Sequence, residues 1–146
     1  MMHFADTKGR RWDIAITCGT VLTLERSLGI KVLDVRNGWI PAMADFKQVV
    51  DILWEVVRPQ AEAKGIEMLD FLEAVDGPTL MHARELLHRA YIDFFPTPTR
   101  RELLERLWSA MEELRLAIAK RIEIALASIA TASSGSASTP AQASSA

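Results

Sequence analysis

A mostly α fold (α+β), in which a small N-terminal β-hairpin packs on about five helices, follows from three observations. Apolar residues recur every three or four positions through most of the chain. Alternation of apolar and polar residues is confined to the stretch before Thr17. The run from Thr99 to Ala130 contains neither glycine nor proline and reads as one long final helix.

The chain has 146 residues, 49% apolar and 25% charged, enough for one ordinary globular core. The expected organisation is a hairpin and helical body over 1–98, the long helix over 99–130 as part of the same domain, and a Ser/Ala-rich tail over 131–146. That tail lacks the apolar surface to offset its ordering entropy and is expected to be disordered. A net charge of -2 offers no general attraction to nucleic acid or to an anionic membrane, so neither is an expected partner. The single Cys18 excludes an internal disulfide, fits a reducing compartment and reads as a small core residue. The N-terminus, with His3, Asp6 and Lys8, lacks the charged-then-apolar pattern of a signal peptide, and no uncharged apolar run has membrane-spanning length. The expectation is a protein that stays in the cytoplasm and is not secreted.

In chain order, Met2 to Ala5 is a short apolar run, Asp6-Thr7-Lys8-Gly9 is turn chemistry, and Arg10 to Ile16 alternates with Trp12, Ile14 and Ile16 on one face. Phe4 and Trp12 can pair across the two strands. A lone hairpin is marginal, so its apolar face should lie on helices. Arg10 and Arg11 beside Trp12 read as an edge-strand solubility device in an acidic chain. A first helix starts at Thr17 or Thr20 and stops at Gly29, the residue suited to a left-handed C-cap. Ile30 to Pro41, with Asn37-Gly38 inside it, reads as a turn-rich connection anchored by Val32, Leu33, Trp39 and Ile40.

A second helix is expected from Ala42 to Val57, with Asp45 near its start, and Pro59 either kinks it or opens a continuation through Ala63 to Gly65. Ile66 to Val75 makes a third, closed by Asp76-Gly77-Pro78. From Pro78, the residues Leu80, Ala83, Leu86, Leu87, Ala90, Tyr91 and Phe94 describe a fourth that ends at Phe95-Pro96-Thr97-Pro98. In the final helix Thr99 can cap the N-terminus with Glu102 three residues on. At 1.5 Å per residue this helix runs roughly 45 Å, longer than the body needs on one side. Its apolar positions, Leu104, Leu107, Trp108, Met111, Leu114, Ile118, Ile122, Ala125 and Ile129, form one stripe. Either the whole stripe packs on the protein's own core, or its distal half, Ala117 to Ile129, docks on a partner chain or a second copy.

Catalytic patterns are not readable in the chain. His82 and His88 are six apart, off a common helical face, and lack the i, i+4 spacing that lets two imidazoles share a metal. Asp45, Asp51, Glu67, Asp70, Glu73 and Asp76 read as caps and solvated helix faces. No metal, cofactor or catalytic residue is expected. Met43, Met68, Met81 and Met111 are either core filler or adaptable contact residues.

The segments Phe4-Ala5-Asp6-Thr7-Lys8-Gly9-Arg10-Arg11-Trp12, then Ile14, Ile16, Gly19 and Thr20, Leu28-Gly29-Ile30, Val32-Leu33-Asp34 and Asp93-Phe94-Phe95-Pro96 resemble small proteins encoded among the tail genes of tailed bacteriophages, the tail assembly chaperones. The resemblance covers Phe4 to Pro96. It implies a non-catalytic helical protein of the host cytoplasm that binds the tape measure protein and prevents its aggregation while tail tube subunits assemble around it. Partner contacts are then expected at Ile118, Ile122, Ala125 and Ile129 of the distal stripe and at Trp39, if exposed. A homo-oligomer through the long helices would satisfy the same stripe. The competing expectation is a structural tail-completion or connector protein, for which ring-forming self-association is the distinguishing sign.

Overall fold

The computed structural model describes residues 2–95 and 97–137. It comprises two units, Met1–Trp108 and Ser109–Ala146. The helical architecture with one small hairpin is the one the periodicities predict.

In the first unit the strands β1 (Met2–Ala5) and β2 (Arg11–Ile14) pair antiparallel with Phe4 opposite Trp12. Both rings are buried. The turn between them is built on Asp6, whose carboxylate accepts from the backbone N–H groups of Lys8 and Arg10, from Arg10 Nε at 2.7 Å and from Trp12 Nε1 at 2.9 Å. Gly9 completes the turn at φ 78°, a left-handed conformation that glycine adopts without steric cost.

Helix α1 (Cys18–Leu28) starts at a reciprocal cap between Thr17 and Thr20 and ends at Gly29, left-handed at φ 67°. Cys18 corrects the expectation of a core residue. It sits in the first turn and is exposed, because the buried face of α1 is carried by Val21 and Leu24.

The segment 30–41 is more ordered than a turn-rich connection. It holds a π-helical turn, Val35–Trp39, followed by the short helix α2 (Ile40–Ala44) with Pro41 in its first turn. Gly38 belongs to the π-helical turn, and a Cβ there would stand 1.8 Å from the Lys31 carbonyl oxygen. The helix expected from Ala42 is therefore two helices. Asp45 leaves helical geometry (φ -107°, ψ 110°) and caps α3 (Phe46–Ala63), accepting from Lys47 N–H at 3.0 Å. Helix α3 runs through Pro59 and buries Val49, Ile52, Leu53, Val57 and Ala61. Gln60 pins it to the hairpin, accepting from Asp13 N–H at 2.9 Å and donating to the Asp13 carbonyl at 2.8 Å.

Helix α4 (Met68–Glu73) is shorter than expected at both ends, and Thr7 N–H donates to the Ala74 carbonyl just beyond it. Helix α5 (Gly77–Phe94) is capped by Asp76, which accepts from Thr79 N–H at 2.9 Å. It packs against both strands and α3. Helix α6 (Pro98–Ala137) begins one residue before Thr99, since Pro98 has its ring-fixed φ suited to a first turn and Arg101 N–H donates to the Thr97 carbonyl. It also continues past Ala130 as far as Ala137, in the stretch expected to be a disordered tail. The rest of that stretch, 138–146, lies outside the described residues, as does Pro96.

The boundary between the units falls inside α6, after Trp108. On the body side of it, Leu104 is fully buried, and the Trp108 ring stacks on His88 at 3.9 Å with Arg84 Cζ 4.4 Å from its centre. The described part of the second unit is the remainder of α6, in which Arg115 Nη2 donates to Glu112 Oε2 at 2.9 Å and Thr131 Oγ1 donates to the Ala127 carbonyl at 3.0 Å.

Candidate interaction surface on the last helix

From Leu114 onward, α6 carries large apolar side chains that its own chain leaves open to water. Ile118, Ile122 and Ile129 are 50%, 54% and 62% exposed, and Ala125 is exposed between them. Leu114 and Leu126 flank the same face, also more than half exposed. Positions 118, 122, 125 and 129 are separated by steps of four and three, which keeps their Cβ atoms in one row. Scattered exposed leucines are normal on a protein surface; three isoleucines aligned over about three helical turns form a continuous apolar strip. Leu116 and Ile124 lie away from the row and are likewise exposed.

Trp39, the fifth residue expected to meet a partner, is in the core. It is fully buried, its Nε1 donates to His88 Nδ1 at 3.1 Å, and its ring stacks on Tyr91 at 4.1 Å. Tyr91 in turn donates its hydroxyl to the Val32 carbonyl at 2.6 Å, and burial pushes its phenol above the ordinary range. Trp39 thus anchors the 30–44 segment on α5 and is unavailable to another molecule. A buried indole N–H needs an acceptor, and the acceptor is a histidine far away in sequence. His82, by contrast, is exposed, so the two histidines of α5 serve different surroundings.

Of the methionines, Met43 is buried and Met81 and Met111 are half-buried, whereas Met68 is 49% exposed beside Leu69 on α4. Of the carboxylates singled out in the sequence, Asp45, Asp51, Asp70 and Asp76 are placed as caps and surface pairs, and Glu67 and Glu73 are exposed. Asp45 and Asp76 cap helices and are held below the usual carboxylate range, chiefly by hydrogen bonds from the Gln48 side chain and from Thr79. Asp51 pairs with Lys47, and Asp70 with Lys8 and Arg10, whose hydrogen bonds also lower its affinity for a proton. Asp6 is different, because its side chain is fully enclosed. Burial opposes its ionisation, but the bonds from Trp12, Arg10 and the two backbone N–H groups outweigh that and hold it below the usual range.

The concave surfaces are open grooves. One of about 650 Å³ is lined by Met2, Ile14, Ile16, Ala90, Asp93 and Phe94, and its carboxylate, Asp93, is paired with Arg101 at 2.8 Å. No group of three or more acidic, histidine or cysteine side chains among the described residues is placed to hold a metal ion. Among the described residues no helix is long and apolar enough to cross a membrane. What the arrangement can do chemically is bind apolar helix or sheet surface along the distal row. Comparison with protein-family models, with curated proteins and with solved structures finds no match to this chain.

Proposed function

We propose that this chain is a tail assembly chaperone of tailed bacteriophages, a non-catalytic protein of the host cytoplasm that captures apolar helical surface of the tape measure protein. The observation that carries the reading is the exposed row Ile118, Ile122, Ala125 and Ile129. A holdase for a long amphipathic helix needs an apolar strip of matching pitch presented in water, and the charges of Glu113, Lys120 and Glu123 fall on the side of the helix away from the row. The sequence resemblance over Phe4 to Pro96 adds the biological setting, and the tail tube protein is a further partner within it. The test is co-expression with the tape measure protein of the same genome, followed by co-purification. The expected outcome is a soluble complex, with the tape measure protein insoluble when expressed alone. Replacing Ile122 and Ile129 together by glutamate should leave the chain folded and reduce capture at least tenfold. Stable rings of this chain, with no tape measure protein bound, would point instead to a structural tail-completion or connector protein.

A further inference from the structure

The distal row has a finer order than amphipathicity. Its seam positions fall at 115, 118, 122, 125, 129 and 132, steps of three and four in strict alternation. This is the 3.5-residue repeat at which one α-helix supercoils around another. The same repeat passes upstream through Trp108 and Leu104, which the body of the chain covers, so the frame spans four heptads and only its distal part is open.

Side-chain size along the seam then selects the occupant. Read from 115, it runs Arg, Ile, Ile, Ala, Ile, Ala. A parallel copy in register would set Arg115 against Arg115 at the seam and face alanine with alanine at two layers, giving like-charge repulsion and thin packing. Reversing one copy removes both faults. Ile122 then meets Ala125, Ile118 meets Ile129, and Ala132 meets the aliphatic stem of Arg115. The Arg115 guanidinium, bonded to Glu112 one turn back at 2.9 Å, leaves the seam where the overlap ends. We propose that the distal part of α6 pairs antiparallel with the same segment of a second copy, about a two-fold axis passing between Glu123 and Ile124.

The pair is isologous and closes on itself. Its apolar area, roughly 600 Å² over both copies on the usual scale for half-exposed Ile and Leu side chains, is below that of tight interfaces, so the association is reversible. The inference goes beyond the chaperone reading and does not rest on it, because it is tested on the isolated chain. Sedimentation equilibrium from about 1 µM to about 500 µM should show a monomer–dimer equilibrium. Ile122→Glu should weaken it at least about 50-fold with the melting cooperativity of the body unchanged, and Ile122→Leu should retain it. In a Cys18→Ser background, mixing Ile122→Cys with Ala125→Cys should give the mixed disulfide in preference to either symmetric one. A chain that stays monomeric, an Ile122→Glu chain that still dimerises or no longer folds, or a preference for the symmetric 122–122 disulfide would each overturn the proposal. Loss of tape measure capture with the dimer intact would count against the chaperone reading alone.

Discussion

At the scale of single residues, Asp6 is the side chain on which the most depends. Its buried carboxylate ties the turn, the neighbouring strand and Trp12 together, and Arg10 links it onward to Asp70 in the first turn of α4. Replacing Asp6 by asparagine keeps the size, removes the charge and turns one acceptor into a donor facing Arg10 or Trp12. The expected loss is about 2–3 kcal/mol of stability in urea unfolding at neutral pH. The pH dependence has a definite sign. A carboxylate whose folded-state proton affinity is lowered stabilises fully above its unfolded value and loses that stabilisation as pH falls through the folded one. The wild-type chain should therefore lose stability on acidification below about pH 4, and the Asp6→Asn chain should show a shallower loss over the same window. The sequence marks Asp6 as a turn residue, correctly, but nothing local to it announces that the turn is enclosed. Trp39 shows the same limit from the opposite side. Its burial depends on His88 and Tyr91, roughly fifty residues away, and periodicity within a short loop carries no information about such partners.

At the scale of elements, what was legible is what is decided locally. The pairing of Phe4 with Trp12, the start of α1 near Thr17 and its glycine stop follow from residue types acting on their own neighbours, whereas Asp76, read as the close of one helix, caps the next. The segment 30–44 was not legible, because Asn37-Gly38 has the composition of an open turn. Here Gly38 is chosen for closeness instead, since its backbone passes the Lys31 carbonyl at a distance no side chain permits. Asp34 holds the start of this turn, accepting from Asn37 N–H at 3.2 Å. Gly38→Ala should accordingly cost about 3 kcal/mol or more, with exchange protection lost first over 31–44 and the hairpin affected last. An equally stable Gly38→Ala chain would mean that the close approach is not maintained in solution. The long helix teaches a related lesson. Its stripe was visible as a pattern, yet the pattern reads the same at Leu104, which is core, and at Ile118, which is open. Periodicity defines a face and leaves its neighbour undefined.

At the scale of the whole molecule, the two units differ in what holds them. The first has a core drawn from both strands and α1 to α5, together with the opening turns of α6; the second is one stretch of helix stabilised by its own backbone bonds and a few side-chain contacts. Such a stretch lacks the tertiary packing that supplies most helical stability in proteins. Amide hydrogen exchange should therefore be graded: slow in α3 and α5, and fast from about Leu114 onward in dilute solution, slowing as the concentration rises if copies pair. Uniform protection along α6 at every concentration would mean that the distal helix is held within its own chain. The division has one more consequence. Every tryptophan, tyrosine and phenylalanine of the chain lies at or before Trp108, and none follows it. The second unit is optically silent in the near ultraviolet, and the chromophores of the first report on the body alone, so the integrity of one unit and the associations of the other can be followed separately in a single unlabelled sample.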